Sequence, residues 1–127
     1  KTDYKKKMVL IQAYNESKFI GCSLHFKSDK AFYGRYWGTL YEIPYLHFEL
    51  CYYQAIEFAI KNKLYKVEAG AQGEHKIARG YLPELTYSNH WFGNHELSEA
   101  ITNYLDDEGK KIIENINMLN TFSPFKT

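Results

Sequence analysis

Three runs rich in apolar, β-branched and aromatic residues open the chain, and only short polar turns separate them. "KMVLIQAY" covers 7–14, "NESK" (15–18) has turn chemistry, "FIGCSLHFKS" covers 19–28, "SDK" (28–30) is a second turn, and "AFYGRYW" covers 31–37. Turns this short can join only antiparallel neighbours, because a parallel pair needs a crossover of about a dozen residues or more. The second run alternates, with Phe19, Gly21, Ser23, His25 and Lys27 on one side and Ile20, Cys22, Leu24 and Phe26 on the other. The opening third of the sequence therefore predicts an antiparallel meander.

The period then changes. "GTLYEIPY" (38–45) is a connection, since Pro44 discourages helix just before it. From about His47 to Asn62, steps of about 100° place Gln54, Glu57 and Lys61 on one narrow polar stripe. Tyr52, Ala55, Ile56, Ala59 and Ile60 cover a wide apolar face, so this helix is predicted to be packed on most sides. "LYKVEAG" (64–70) reads as a short strand, "GAQGEHKIARG" (70–80) as a turn or short helix, and "LPELTYSNHWF" (82–92) as another strand. Asn94 is the expected N-cap of a last helix, with Glu96 in its first turn. Leu97, Ile101, Tyr104, Leu105, Ile112, Ile116 and Leu119 keep helical spacing across Gly109, where a bend is expected. The predicted fold is α/β in the α+β-sandwich sense: a mixed, mainly antiparallel sheet, a central packed helix and a long C-terminal helix. The 127 residues are read as one domain, without internal repeat or low-complexity tract.

Charge narrows the partners. Sixteen Lys and Arg against 15 Asp and Glu leave a net charge of +1, which gives no global attraction to DNA, tRNA or an anionic membrane. Two cysteines, Cys22 and Cys51, make no disulfide framework, so a reducing, cytoplasmic setting is expected. No apolar run approaches a membrane span and no signal peptide is visible. The five histidines show no H-E-x-x-H or H-x₃-H pair, so no metal site is expected. Walker and G-x-S-x-G patterns are absent as well. Cys51, beside aromatics on the helix, reads as core.

Three places carry chemistry-bearing side chains. Glu49 falls on the apolar face of the central helix, between Ile56 and Ile60. A carboxylate there is desolvated or paired, and it is the candidate catalytic base unless it is only a first-turn acid. "GAQGEHKIARG" runs from a glycine-containing turn into Glu74, His75, Lys76 and Arg79, and a helical turn starting near Glu74 would offer free N–H groups to an anion. "GRYWG" (34–38) puts Arg35 and Trp37 on one side of a strand, with flanking glycines that permit close approach.

"YGRYWG", "LHFELCYYQAIEFAI", "VEAGAQGEHKIARGYLPELTYSNHW" and the terminal "SPFK" together resemble the C-terminal part of bacterial predicted N-acyltransferases of the peptidoglycan biosynthesis/recognition type. That family is FemAB-like and belongs to the GNAT superfamily. The resemblance covers most of the chain. It implies a GNAT-like sheet, acyl transfer to an amine, and a longer protein whose N-terminal half would be a partner of this segment. "HKIARGY" takes the place of the family's Phe-Lys…Phe-Gly signature, which maps onto Lys76, Arg79, Gly80 and Tyr81, with His75 standing before the Lys. The Q/R-x-x-G-x-G/A loop that holds the CoA pyrophosphate in GNAT acetyltransferases has no counterpart in "GTLYEIPYLHFE", so acyl-CoA and aminoacyl-tRNA both stand as donors.

On this reading a small-molecule amine acceptor loses its proton to Glu49, with Glu74 or His75 as alternatives. Lys76, Arg79 and the N–H groups after Gly73 stabilise the oxyanion, and Tyr52 or Tyr53 protonates the leaving group. Arg35, Trp37, His47 and Gln72 line the substrate pocket, with the 70–80 turn as one wall and Glu49 on the facing helix. The competing reading is a non-catalytic module that recognises a cell-wall or amino-sugar ligand.

Overall fold

The computed structural model describes residues 4–70 and 73–125. The chain divides into two compact units, Lys1–Gln72 and Gly73–Thr127. In the first, a 3₁₀ turn (Tyr4–Lys7) leads into β1 (Met8–Asn15), β2 (Lys18–Lys27) and β3 (Ala31–Thr39), the predicted meander. A composite helix follows: α1 (Leu46–Phe48), a π-helical segment (Glu49–Tyr53) and α2 (Gln54–Lys61). It carries the chain to β4 (Lys66–Glu68), which pairs parallel with β3 and completes a sheet of order β1-β2-β3-β4. The fold is mixed α+β with a mainly antiparallel sheet, as the sequence pattern predicts.

Register decides which residues meet the helix. Ile11 opposes Ser23, and Ser23 opposes Trp37. The ladder slips between Leu24 and His25, because Leu24 pairs with Tyr36 while His25 pairs with Gly34. Arg35 is thus the extra residue of a β-bulge in β3. The alternation read from the sequence holds in β2, but it is the polar side that turns inward: Ser23 and His25 are both 1% exposed. The Ser23 hydroxyl donates to the Leu50 carbonyl of the π segment at 2.8 Å. His25 stacks on Phe32 at 4.6 Å, and Phe32 stacks on Phe58 of α2 at 4.5 Å. This column of rings, with Ala55 and Ala59 beside it, is the core between sheet and helix.

The π segment corrects the helical wheel. Its backbone closes wider rings, as in the Gln54 N–H bond to the Glu49 carbonyl. Each residue there turns by less than the α-helical step, so positions before and after the segment lose their common phase. Glu49, placed on the apolar face by the wheel, is exposed. Ile60, assigned to the same face, is 72% exposed. Tyr52, Ala55 and Ala59 are buried as expected, and Gln54, Glu57 and Lys61 line a shallow open groove beside Ile11 of β1.

The second unit opens with a 3₁₀ turn, Glu74–Arg79, that ends on Gly80 in the left-handed region. Residues 82–92, expected as a strand, form none. A strand needs a neighbour to take its backbone groups, and Pro83 already removes one donor. α3 (His95–Asn120) begins where predicted, with the Asn94 side chain accepting the Leu97 N–H at 2.9 Å. It runs through Gly109 as one helix, and none of its residues is buried.

The buried Ser23–His25 pair makes stability testable. Ser23→Ala strands the Leu50 carbonyl and the His25 ring, and is expected to cost about 1–3 kcal/mol in chemical denaturation. Burial away from water, the larger influence, lowers the His25 pKa, and the Leu50 carbonyl opposes it in part. The unfolded chain therefore takes up this proton first. Full stability is present above about pH 6.5 and falls as the pH drops from there toward the lower folded-state value. His25→Gln should remove that step from the denaturation midpoint measured against pH.

Candidate functional site

In the first unit the candidates Trp37, His47 and Tyr52 gather where β3 passes under the composite helix. Trp37 lies 4.8 Å from His47, ring to ring. His47 in turn contacts Phe48 at 5.6 Å and Tyr52 at 5.3 Å, and Phe48 stacks on Tyr52 at 6.2 Å. The β2–β3 register puts Trp37 beside Ser23, on the helix side of the sheet, and leaves it 44% exposed. Tyr52 and Tyr53 divide by burial: Tyr52 is 4% exposed inside the aromatic cluster, whereas Tyr53 is 45% exposed. A side chain meant to protonate a departing group must reach it, and by exposure Tyr53 fits that task better.

Arg35 does not share a face with Trp37 as simple alternation implies. The bulge breaks the alternation, and the Arg35 guanidinium carbon sits 5.2 Å from the centre of the Tyr36 ring, a cation–π contact. Glu49 is exposed, and its Oε1 accepts a hydrogen bond from Gln54 Nε2 at 2.8 Å. That contact holds one carboxylate oxygen in place.

Beside these residues β3 runs on past the end of its pairing with β4. β3 and β4 pair only at Ala31↔Lys66, Phe32↔Val67 and Tyr33↔Glu68. β3 continues to Thr39, so among the described residues its backbone groups from Arg35 onward have no strand partner on the β4 side. Gly34 marks the point of separation, next to the Glu68 carbonyl and Ala69.

The second unit holds the other candidates, and Gln72 lies outside the described residues. The 3₁₀ turn begins at Glu74, as expected for a turn after Gly73, and its Lys76 N–H is already engaged, donating to the Gly73 carbonyl at 3.0 Å. Gly73 has φ +101°, and a Cβ there would lie 2.7 Å from the His75 ring, so this position requires glycine. Arg79 folds back along the turn, its Nη1 donating to the His75 carbonyl at 2.7 Å. Glu74 and His75 are exposed, Lys76 is half-buried, and burial holds the Lys76 pKa below the usual lysine range. Burial also pushes the Cys51 thiol up to about 11, so it stays protonated at neutral pH, in keeping with a core role. Among the described residues no group of three His, Cys, Asp or Glu side chains gathers to hold a metal, and no helix is long and apolar enough to cross a membrane.

The FemAB-like family, described as peptidoglycan biosynthesis/recognition, matches residues 1–127. The chain belongs to this family. No curated protein and no solved structure matches it. FemAB-like membership ties this chain to peptidoglycan-related function.

Sequence reasoning passed over Ser23 and His25 in this FemAB-like chain. The signal was present: an S-x-H pair on the same side of a strand whose other side is apolar. It gained meaning only when the register turned that side toward the helix. The π segment had no comparable signal, because its pattern fits an ordinary α-helix equally well.

A lysine with a lowered pKa has more free amine at mildly alkaline pH than its neighbours. Acylation by an N-hydroxysuccinimide ester at about pH 8, followed by peptide mapping, should therefore label Lys76 ahead of the exposed Lys110 and Lys111. Equal labelling would show that burial does not tune it.

Proposed function

We propose that this FemAB-like chain transfers an acyl group from an activated donor, an acyl-CoA or an aminoacyl-tRNA, to an amine acceptor of cell-wall chemistry. Family membership over all 127 residues carries the proposal. Two local features of the first unit support it. The β3 edge beyond Gly34 offers N–H and C=O groups to an extended, amide-bearing donor. Glu49 offers a carboxylate oxygen to an amine while Gln54 fixes the other.

In the proposed step the amine nitrogen attacks the acyl carbonyl carbon, and the new C–N bond forms. The bond from that carbon to the donor sulfur or oxygen then breaks. The proton lost by the amine goes to Glu49, since only the neutral amine has a lone pair to attack with. The leaving thiolate or alkoxide takes a proton from Tyr53 or solvent. Trp37 and the half-buried His47 supply an apolar wall that holds the acceptor's carbon skeleton.

The test is product formation by mass spectrometry from acetyl-CoA and from alanyl-tRNA, each with a panel of amino-sugar and amino-acid amines. Glu49→Gln should keep the melting temperature and lower turnover by about 10²–10⁴-fold. Unchanged turnover would make Glu49 structural. Acceptor binding without product from either donor would favour the non-catalytic recognition module.

A further inference from the structure

An apolar stripe runs the length of α3, and among the described residues no element buries it. At steps of about 100°, Leu97, Ile101, Leu105, Ile112, Ile116 and Leu119 fall within one arc of about 100°. Not one of the helix's 26 residues is buried, and Leu97, Leu105 and Ile112 are 43–50% exposed. Helices of this kind draw most of their stability from packing such a stripe against another surface. α3 therefore calls for a covering surface, and its charges indicate which one.

Those charges complement themselves in an antiparallel pair. Asp106, Asp107 and Glu108 precede Gly109, and Lys110 and Lys111 follow it. A second α3 laid antiparallel about a point between Glu108 and Gly109 brings Asp106 level with Lys111 of the other copy, and Asp107 level with Lys110. The same operation sets Leu105 against Ile112 and Ile101 against Ile116, each match occurring twice. Lys110 already bonds Asp107 of its own helix at 3.7 Å. Glu108, which accepts the Tyr104 hydroxyl at 3.3 Å, lies within the stripe, and Lys111 lies at its border, so Lys111 of each copy reaches Glu108 of the other across the seam. Gly109 stands level with Glu108 of the other copy, and no neighbouring side chain lies within 4 Å of the Cβ it lacks, so the crossing is uncrowded. A parallel pair would set each acidic run against its twin and align the two helix dipoles. Sliding one helix by a heptad sets Glu108 against Ile116 in one direction and Ile101 against Gly109 in the other.

We propose that α3 is a self-association face, through which two copies of this chain pair as antiparallel helices about a two-fold axis. The interface is isologous, so every contact away from the axis occurs twice. Ile101, Leu105, Ile112 and Ile116 of both copies form its apolar centre, and the Glu108–Lys111 pairs fix direction and register. The occupant is a second copy because one symmetry operation satisfies the stripe and the charges together. This assignment does not depend on acyl transfer.

The experiment uses the whole 127-residue chain. Sedimentation equilibrium at low ionic strength, over a concentration series that reaches about 1 mM, should show a monomer–dimer equilibrium. Leu105→Asp puts a charge at the apolar centre and should weaken the dimer by about tenfold or more. Lys111→Glu and Glu108→Lys each set like charges across the seam and should weaken it by about tenfold, less so in high salt. The chain that carries both changes, or an equimolar mixture of the two single variants, restores the charge match and should dimerise as the unaltered chain does. These charge variants stand in if Leu105→Asp does not fold. A chain that stays monomeric throughout the series, a dimer that Leu105→Asp leaves equally tight, or a double variant no tighter than either single one would overturn the proposal.

Discussion

One hydrogen bond ties the helix to the sheet. The Ser23 hydroxyl reaches from the middle of β2 to the Leu50 carbonyl in the π segment, at 2.8 Å and out of contact with water. Only a small side chain at position 23 lets the helix come that close, and only a donor satisfies a carbonyl buried there. The same hydroxyl receives the His25 N–H, which fixes the ring that Phe32 and Phe58 stack upon. A polar contact and an aromatic column thus share one anchor, and the position of the composite helix over the sheet follows from both.

The site inherits its geometry from that anchor. Because the helix is held at Leu50, the wider turn of the π segment brings Tyr52 inward and leaves Glu49 and Tyr53 toward solvent. On the sheet, the β-bulge at Arg35 and the early end of the β3–β4 ladder lie close together in sequence, on either side of Gly34. Bulges and π turns each disturb a regular element, and such disturbances are frequent at functional sites. In this chain one lies on each side of the same core.

The meander was legible because alternation and short turns admit few other arrangements. The cap of α3 was legible because Asn94 is a local signal that needs no tertiary partner. The strand expected over 82–92 was misread from its apolar and aromatic content, since pairing depends on a neighbour that composition does not reveal. Glu49 shows a different limit. Its identity was readable, but its surroundings depended on a backbone ring size that side-chain periodicity does not encode. His25 was visible only as one histidine among five, and its burial emerged from register and from the Ser23 bond. Family membership supplied what local physics could not, the link to peptidoglycan chemistry.

The central claim is that acyl transfer takes place along β3 beyond its pairing with β4. Amide hydrogen exchange resolved by residue, on the chain with and without saturating acetyl-CoA or a non-hydrolysable alanyl-tRNA analogue, tests it most directly. The account predicts that one of these donors slows exchange across Arg35–Thr39 and leaves β1 unchanged. No slowing in that segment with either donor, or slowing confined to residues 82–92, would contradict it.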